Sequence, residues 1–364
     1  MLASVFAVMT LLAVVTYGYN RFFKEQRHER AQEHFRMART LADYGYHEEA
    51  VEHYRDALLE DRSSFAYRLG LALALYRSDR YQEAQLQLLE LRAAQPNHAV
   101  VNQMLARIAQ RQQRWDEAIG YFRAAVYGFW PSNPLENRIQ ARLELIQLLE
   151  TRGDRRQTIA ELLSLLQDAP ENDQIARRVG LALFAAGAYS EASEVLSKLI
   201  EGSEDPELLA AAGEVFYHLG ALPEARDALT RSIAARPDRE VERMAKLVSE
   251  ILALDPRARG LSRTRRYRRS KDLLERIVSY IDGCSNPVGE AFVGPDKRLP
   301  QQLSSTLTEA REVVAARRTP RELDEAFDRN LRLAEQLWDG RRYVCRNVWD
   351  EDEALVQLME RMPS

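Results

Sequence analysis

Three alanines recur in one phase. Ala50, Ala84 and Ala118 stand 34 residues apart, and each closes a short polar turn, as in Tyr81-Gln82-Glu83-Ala84. Self-similarity at this period constrains the fold more than any local signal, because one supersecondary unit must stack on copies of itself. The ladder continues, less evenly, through Thr158, Ala192 and Ala225. A bulky apolar residue falls four positions after each rung: Tyr54, Leu88, Phe122, Leu162, Leu196 and Leu229. Pro96, Pro170 and Pro237 close several of the units. Proline cannot donate a helical hydrogen bond and disfavours helix in the residue before it, so it separates one unit from the next. Ala, Leu, Arg, Glu and Gln dominate the chain, all good helix formers. No window alternates apolar and polar residues as a strand would. The expectation is an all-α chain of stacked helix pairs.

The pattern resembles the tetratricopeptide repeat (TPR) family. With the rung as the twentieth position, the repeats run 31–64, 65–98, 99–132, 139–172, 173–206 and 206–239. The eighth position is small, as the family requires: Ala38, Ala72, Ala106, Gly180 and Gly213, with Ile146 the exception in the fourth repeat. Small residues there let the two helices approach closely. The resemblance implies a right-handed superhelical solenoid of six helix pairs. A capping helix is expected over 240–256, since a solenoid must cover its last apolar face. A basic linker over 257–271 and a C-terminal helical domain over 272–364 follow, with helices near 271–282, 300–317, 320–338 and 350–361.

The N-terminus carries a second signal. Residues 1–19 have no charged side chain, and a helix of that length spans about 28 Å, enough for a hydrocarbon core. Tyr17, Tyr19, Phe22 and Phe23 would form an aromatic belt, and residues 20–30 a basic flank with Arg21, Lys24, Arg27 and Arg30. The expectation is a single-pass membrane protein tethered by this helix, with its bulk in the cytoplasm by the positive-inside rule. The alternative is a periplasmic assembly factor. It draws on the two cysteines, Cys284 and Cys345, which could form a disulfide in an oxidising compartment.

In TPR arrays the first helix of each pair lines the concave face. The resemblance therefore places a peptide-binding groove on Phe35, Arg39, Leu73, Tyr76, Arg77, Gln103, Arg107, Gln110, Arg111, Arg177 and Tyr217. Arginines beside aromatics suit an extended partner segment with acidic and apolar side chains. Arg39 and Leu73 stand where a chaperone-tail clamp needs asparagine, so that ligand is disfavoured. The expected partners are other proteins or peptides. A break at Phe129-Trp130-Pro131-Ser132-Asn133-Pro134 interrupts the ladder, and Trp130 is read there as packing between repeats.

The basic run that includes Arg263, Arg265, Arg266, Arg268 and Arg269 is read first as a solvated linker and helix start, then as a contact for acidic protein or lipid. Nucleic acid ranks last, because Tyr267 is the only aromatic nearby and the net charge is −4. No phosphate-cradling, nucleophile-elbow or zinc-protease motif occurs, and the six histidines are scattered. The chain is expected to be a non-enzymatic scaffold with no cofactor, no metal and no small-molecule substrate. An enzyme housed in the unfamiliar tail is the alternative, and it would require a polar pocket there.

Overall fold

The computed structural model describes residues 2–283, 299–316, 322–341 and 352–362. The fold is all-α. Its contacts divide it into two compact units, Met1–Pro170 and Glu171–Ser364. In the first unit four helix pairs follow one another: α1 (Leu2–Asp43) with α2 (His47–Glu60), α3 (Phe65–Arg77) with α4 (Tyr81–Ala94), α5 (Ala99–Arg111) with α6 (Trp115–Val126), and α7 (Pro134–Arg152) with α8 (Arg155–Asp168). The second unit begins with α9 (Asp173–Ala185) and α10 (Tyr189–Leu199), then α11 (Pro206–His218) and α12 (Leu222–Ala235). It continues through α13 (Arg239–Leu254), α14 (Arg263–Asp282), α15 (Leu299–Ala315), α16 (Leu323–Gly340) and α17 (Glu353–Arg361).

The ladder residues form the contact inside each pair. Ala50, Ala84, Ala118, Ala192 and Ala225 are completely buried, and so is every bulky residue four places on. In the fifth and sixth pairs that bulky residue sits against the small eighth position of the partner helix. A Cβ added at Gly213 would lie 2.6 Å from Leu229 Cγ, and one at Gly180 would lie 2.8 Å from Leu196 Cδ2. Both are closer than carbon atoms can pack, so glycine is what permits the approach. The fourth pair departs in the two expected places. Ile146 is buried, and the Thr158 hydroxyl donates to the Asp154 carbonyl at 2.9 Å.

The turn inside each pair needs one left-handed residue. Gly45, Gly153, Gly187 and Gly220 supply it with φ between +68° and +86°, while Asp79 and Gln113 adopt φ of +57° and +59° without glycine's freedom. Side-chain caps start several helices: Ser64, Asp154, Asn172, Asp205, Asp238, Ser262 and Asp352 each accept a backbone N–H of the first turn. The Ser262 cap makes α14 begin at Arg263 rather than near 271. Much of the basic run is therefore helix, not linker.

The break before α7 folds back on the third pair. Phe129 N–H donates to the Asn97 carbonyl at 2.7 Å, and Ala99 N–H donates to the Phe129 carbonyl at 3.0 Å. This seats Trp130 in a core cluster with Phe122, Leu145 and Leu148.

The expectation of a single-pass membrane protein is overturned. Among the described residues, no helix is long and apolar enough to cross a membrane. The apolar run does not end as a separate span, because α1 continues unbroken through Arg21, Lys24, Glu25, Arg27 and Arg30 to Asp43. Three of the cations read as a membrane flank form ion pairs within this unit. Arg21 pairs with Glu25 at 3.1 Å, while Arg27 and Arg30 reach Glu60 at 3.2 and 3.5 Å. Arg27 also donates to the Glu60 carbonyl at 2.9 Å, placing its charge at the negative end of α2. Cys284 and Cys345, and with them the expected disulfide, lie outside the described residues.

Candidate protein-binding face

Within each unit the first helices of successive pairs touch one another: α1 with α3, and α9 with α11. The predicted groove residues lie on α1, α3, α5, α9 and α11, the first helices of their pairs, but the fold treats them differently.

In the first unit three arginines stay open. Arg39, Arg77 and Arg111 are exposed, and no ion pair among the described residues involves them. Arg39 lies 6.0 Å from the centre of the Phe35 ring, which itself packs on Tyr54 and Tyr67. The Arg111 guanidinium stands 5.0 Å from the Tyr81 ring and 5.9 Å from Tyr76. Those two tyrosines meet edge to face at 5.4 Å. Leu73 and Tyr76 are half-buried against the core below. Tyr81 was missed from sequence because it starts a second helix, although it closes over the groove beside Tyr76.

Two other predicted residues are consumed. Arg107 donates to both oxygens of Glu144 on α7, at 2.8 and 2.7 Å, and Gln103 donates to the same carboxylate at 2.9 Å. The Glu144 hydrogen bonds hold the Arg107 guanidinium above its ordinary pKa, so it stays a cation already neutralised by its partner. Gln110 remains half-buried at the end of α5.

In the second unit, Arg177 donates to Asp205 at 3.0 Å and to Glu207 at 2.5 Å. Tyr217 is buried. Its hydroxyl donates to Gln357 Oε1 at 2.9 Å, the Arg361 guanidinium covers its ring at 4.3 Å, and Arg361 donates to its carbonyl at 2.6 Å. The chain's own α17 thus takes the place of a ligand at Tyr217.

The basic run is also largely spent on structure. Arg269 donates to the Leu252 and Asp255 carbonyls at 2.8 and 3.0 Å, capping α13. Arg266 covers the Phe327 ring at 4.4 Å, and Arg263 pairs with Asp324 at 3.5 Å. Arg265 and Arg268 remain exposed. Elsewhere in this unit lies an open cleft of about 550 Å³ lined by Tyr267, Glu322, Glu325, Arg329 and Asn330. Glu325 is raised above the usual carboxylate range by a hydrogen bond with Glu322. The polar pocket that the enzyme alternative requires is therefore present, though both carboxylates sit at its open rim.

The tetratricopeptide repeat family model matches residues 35–99, 69–134 and 143–207. Residues 35–134 and 143–207 belong to the tetratricopeptide repeat family. The fold of the chain resembles Pseudomonas aeruginosa pilF, at 16% identity over 61% of this chain and 98% of that one, with a TM-score of 0.39. PilW, described as a type IV pilus biogenesis factor, gives 18% identity over 58% and 97% of the two chains, with a TM-score of 0.36. MamA from Desulfovibrio magneticus RS-1 gives 16% over 47% and 94%, with a TM-score of 0.38. Likenesses of this size decide nothing about this chain. No curated protein matches the sequence.

Proposed function

We propose that this TPR protein is a non-enzymatic scaffold that binds partner proteins through the first-helix face of its first unit. The ligand is an extended segment carrying acidic and apolar side chains. One observation carries the reading: Arg39, Arg77 and Arg111 are exposed beside Phe35 and the Tyr76–Tyr81 pair, while Arg107 and Arg177 are already paired. An exposed guanidinium with no ion pair gives up no carboxylate when it meets one on a partner. The tyrosine rings offer rigid apolar area at low entropy cost. Leu73 supplies an aliphatic floor between the charged positions.

The test is fluorescence anisotropy of the full chain against a set of labelled peptides that vary in acidic and apolar content. Acidic–apolar peptides are expected to bind, and Arg77→Glu with Arg111→Glu is expected to weaken them by about tenfold or more. Arg177→Glu, placed where the cation is already paired, should leave binding unchanged. Equal affinity in the parent and in the double variant would sink the reading.

A further inference from the structure

One position in the first unit repeats with a consistent chemistry. In the second pair, Arg68 on the first helix reaches Gln87 on the second at 3.2 Å and also bonds Glu90. In the fourth pair, Arg142 occupies the same place, buried, with Glu161 at 2.5 Å and Asp168 at 3.0 Å. In the third pair, Asn102 stands there, and Arg92 enters from the preceding helix. Arg92 donates to Asn102 Oδ1 at 3.1 Å and lies 5.0 Å from the Tyr121 ring. Each of these pairs therefore holds one guanidinium between its two helices, among lone-pair donors.

The first pair keeps the donors and has no cation. His34 on α1 stands where Arg68 and Arg142 stand. His53 and Asp56 on α2 stand where Gln87 and Glu90 stand. The Nδ1 atoms of His34 and His53 face one another at 3.3 Å, and Asp56 Oδ2 lies 3.6 Å from His34 Nδ1. All three donor atoms fall within 4.8 Å of one another. Among the described residues, no arginine or lysine forms an ion pair with Asp56. Arg27 and Arg30 are drawn to Glu60 instead.

We propose that His34, His53 and Asp56 form a binding site for a divalent transition-metal cation of the zinc type, which clips α1 to α2. The spacing of the two imidazole nitrogens fits the ion. Zinc–nitrogen bonds of about 2.0–2.1 Å at a tetrahedral angle put two ligand nitrogens about 3.3–3.4 Å apart. Two imidazoles and one carboxylate suit zinc and its neighbours, whereas calcium and magnesium prefer all-oxygen shells. Each imidazole binds through Nδ1 and keeps its proton on Nε2, which requires only a choice of tautomer. Three protein ligands leave a fourth position for water. The metal would do in the first pair what a guanidinium does in the next three.

The test is calorimetric titration of zinc into the full chain carrying Cys284→Ser and Cys345→Ser, so that thiolates do not compete. One equivalent is expected to bind, and cobalt(II) in its place should give the intense visible absorption of a four-coordinate site. Replacing even an outer partner of a metal site costs about 10–100-fold in affinity, so His34→Gln and His53→Gln should each cost at least that. His34→Arg copies the second and fourth pairs. It should abolish zinc binding while the helix content and melting temperature stay at the parent values. If one of these variants loses helix content, the remaining ones carry the comparison. No zinc bound by the parent chain, or equal zinc affinity in the parent and in folded His34→Arg, would overturn the proposal.

Discussion

The two units use their first-helix faces differently. On the first-helix face of Met1–Pro170, Arg39, Arg77 and Arg111 project beside aromatic rings with no ion pair among the described residues. In Glu171–Ser364, Arg177 is held by two carboxylates and Tyr217 is covered by α17. The first unit leaves these three arginines without an ion pair, although it pairs Arg107 with Glu144, and the second pairs Arg177 and covers Tyr217. The difference shows that a repeat phase fixes where a side chain points. What the side chain meets depends on neighbours outside the repeat.

The strongest way to break this comparison is to loosen α17. Leu355 is fully buried, so Leu355→Ala should cost the second unit about 2–5 kcal/mol and expose Tyr217. Chemical denaturation would measure the first effect, and the rate of tyrosine nitration at Tyr217 the second. An unchanged nitration rate would mean that α17 does not guard that position. A gentler probe is Tyr217→Phe, which removes the hydroxyl bond to Gln357 and should cost about 0.5–1.5 kcal/mol. Reversing Arg77 and Arg111 to glutamate should do the opposite in the first unit, removing peptide binding while shifting stability by no more than about 0.5 kcal/mol. A large loss of stability there would show that these arginines support the fold after all.

The smallest effect concerns pH. His98 is buried against Phe65, with ring centres 4.8 Å apart, and burial lowers its pKa from 6.5. The unfolded chain therefore binds a proton more readily than the folded one between the lowered value and 6.5. The stability that His98 contributes is fully present above 6.5 and declines as the pH falls below it. Thermal melts between neutral and mildly acid pH should show the parent losing more stability than His98→Phe. Equal slopes would remove His98 from the account.

Much of the repeat core was legible from spacing alone. The rungs, the small eighth positions and the bulky residues they meet are all buried, because a stacked helix pair offers one close contact and repeats it. The start of α14 was misplaced because the basic run masked the Ser262 cap, and cations at a helix start read as linker. The acidic partner of Arg263 is Asp324, remote in sequence, and Arg266 finds the Phe327 ring beside it. The apolar N-terminal stretch misled for a related reason. Its basic flank reads as a membrane border until Glu60 and the end of α2 are brought against Arg27. His34 and His53 read only as scattered histidines, since 19 residues separate them and only the pairing of α1 with α2 makes them neighbours.

By itself, the sequence determined the helix pairs, their period and which residues share the first-helix face. These depend on contacts between residues a fixed distance apart, which periodicity records directly. The tertiary structure alone decided which arginines are spent on carboxylates and helix ends and which remain open, that Tyr217 is covered, and that two histidines and an aspartate converge. Those outcomes depend on contacts between segments far apart in the chain, and no local spacing encodes them.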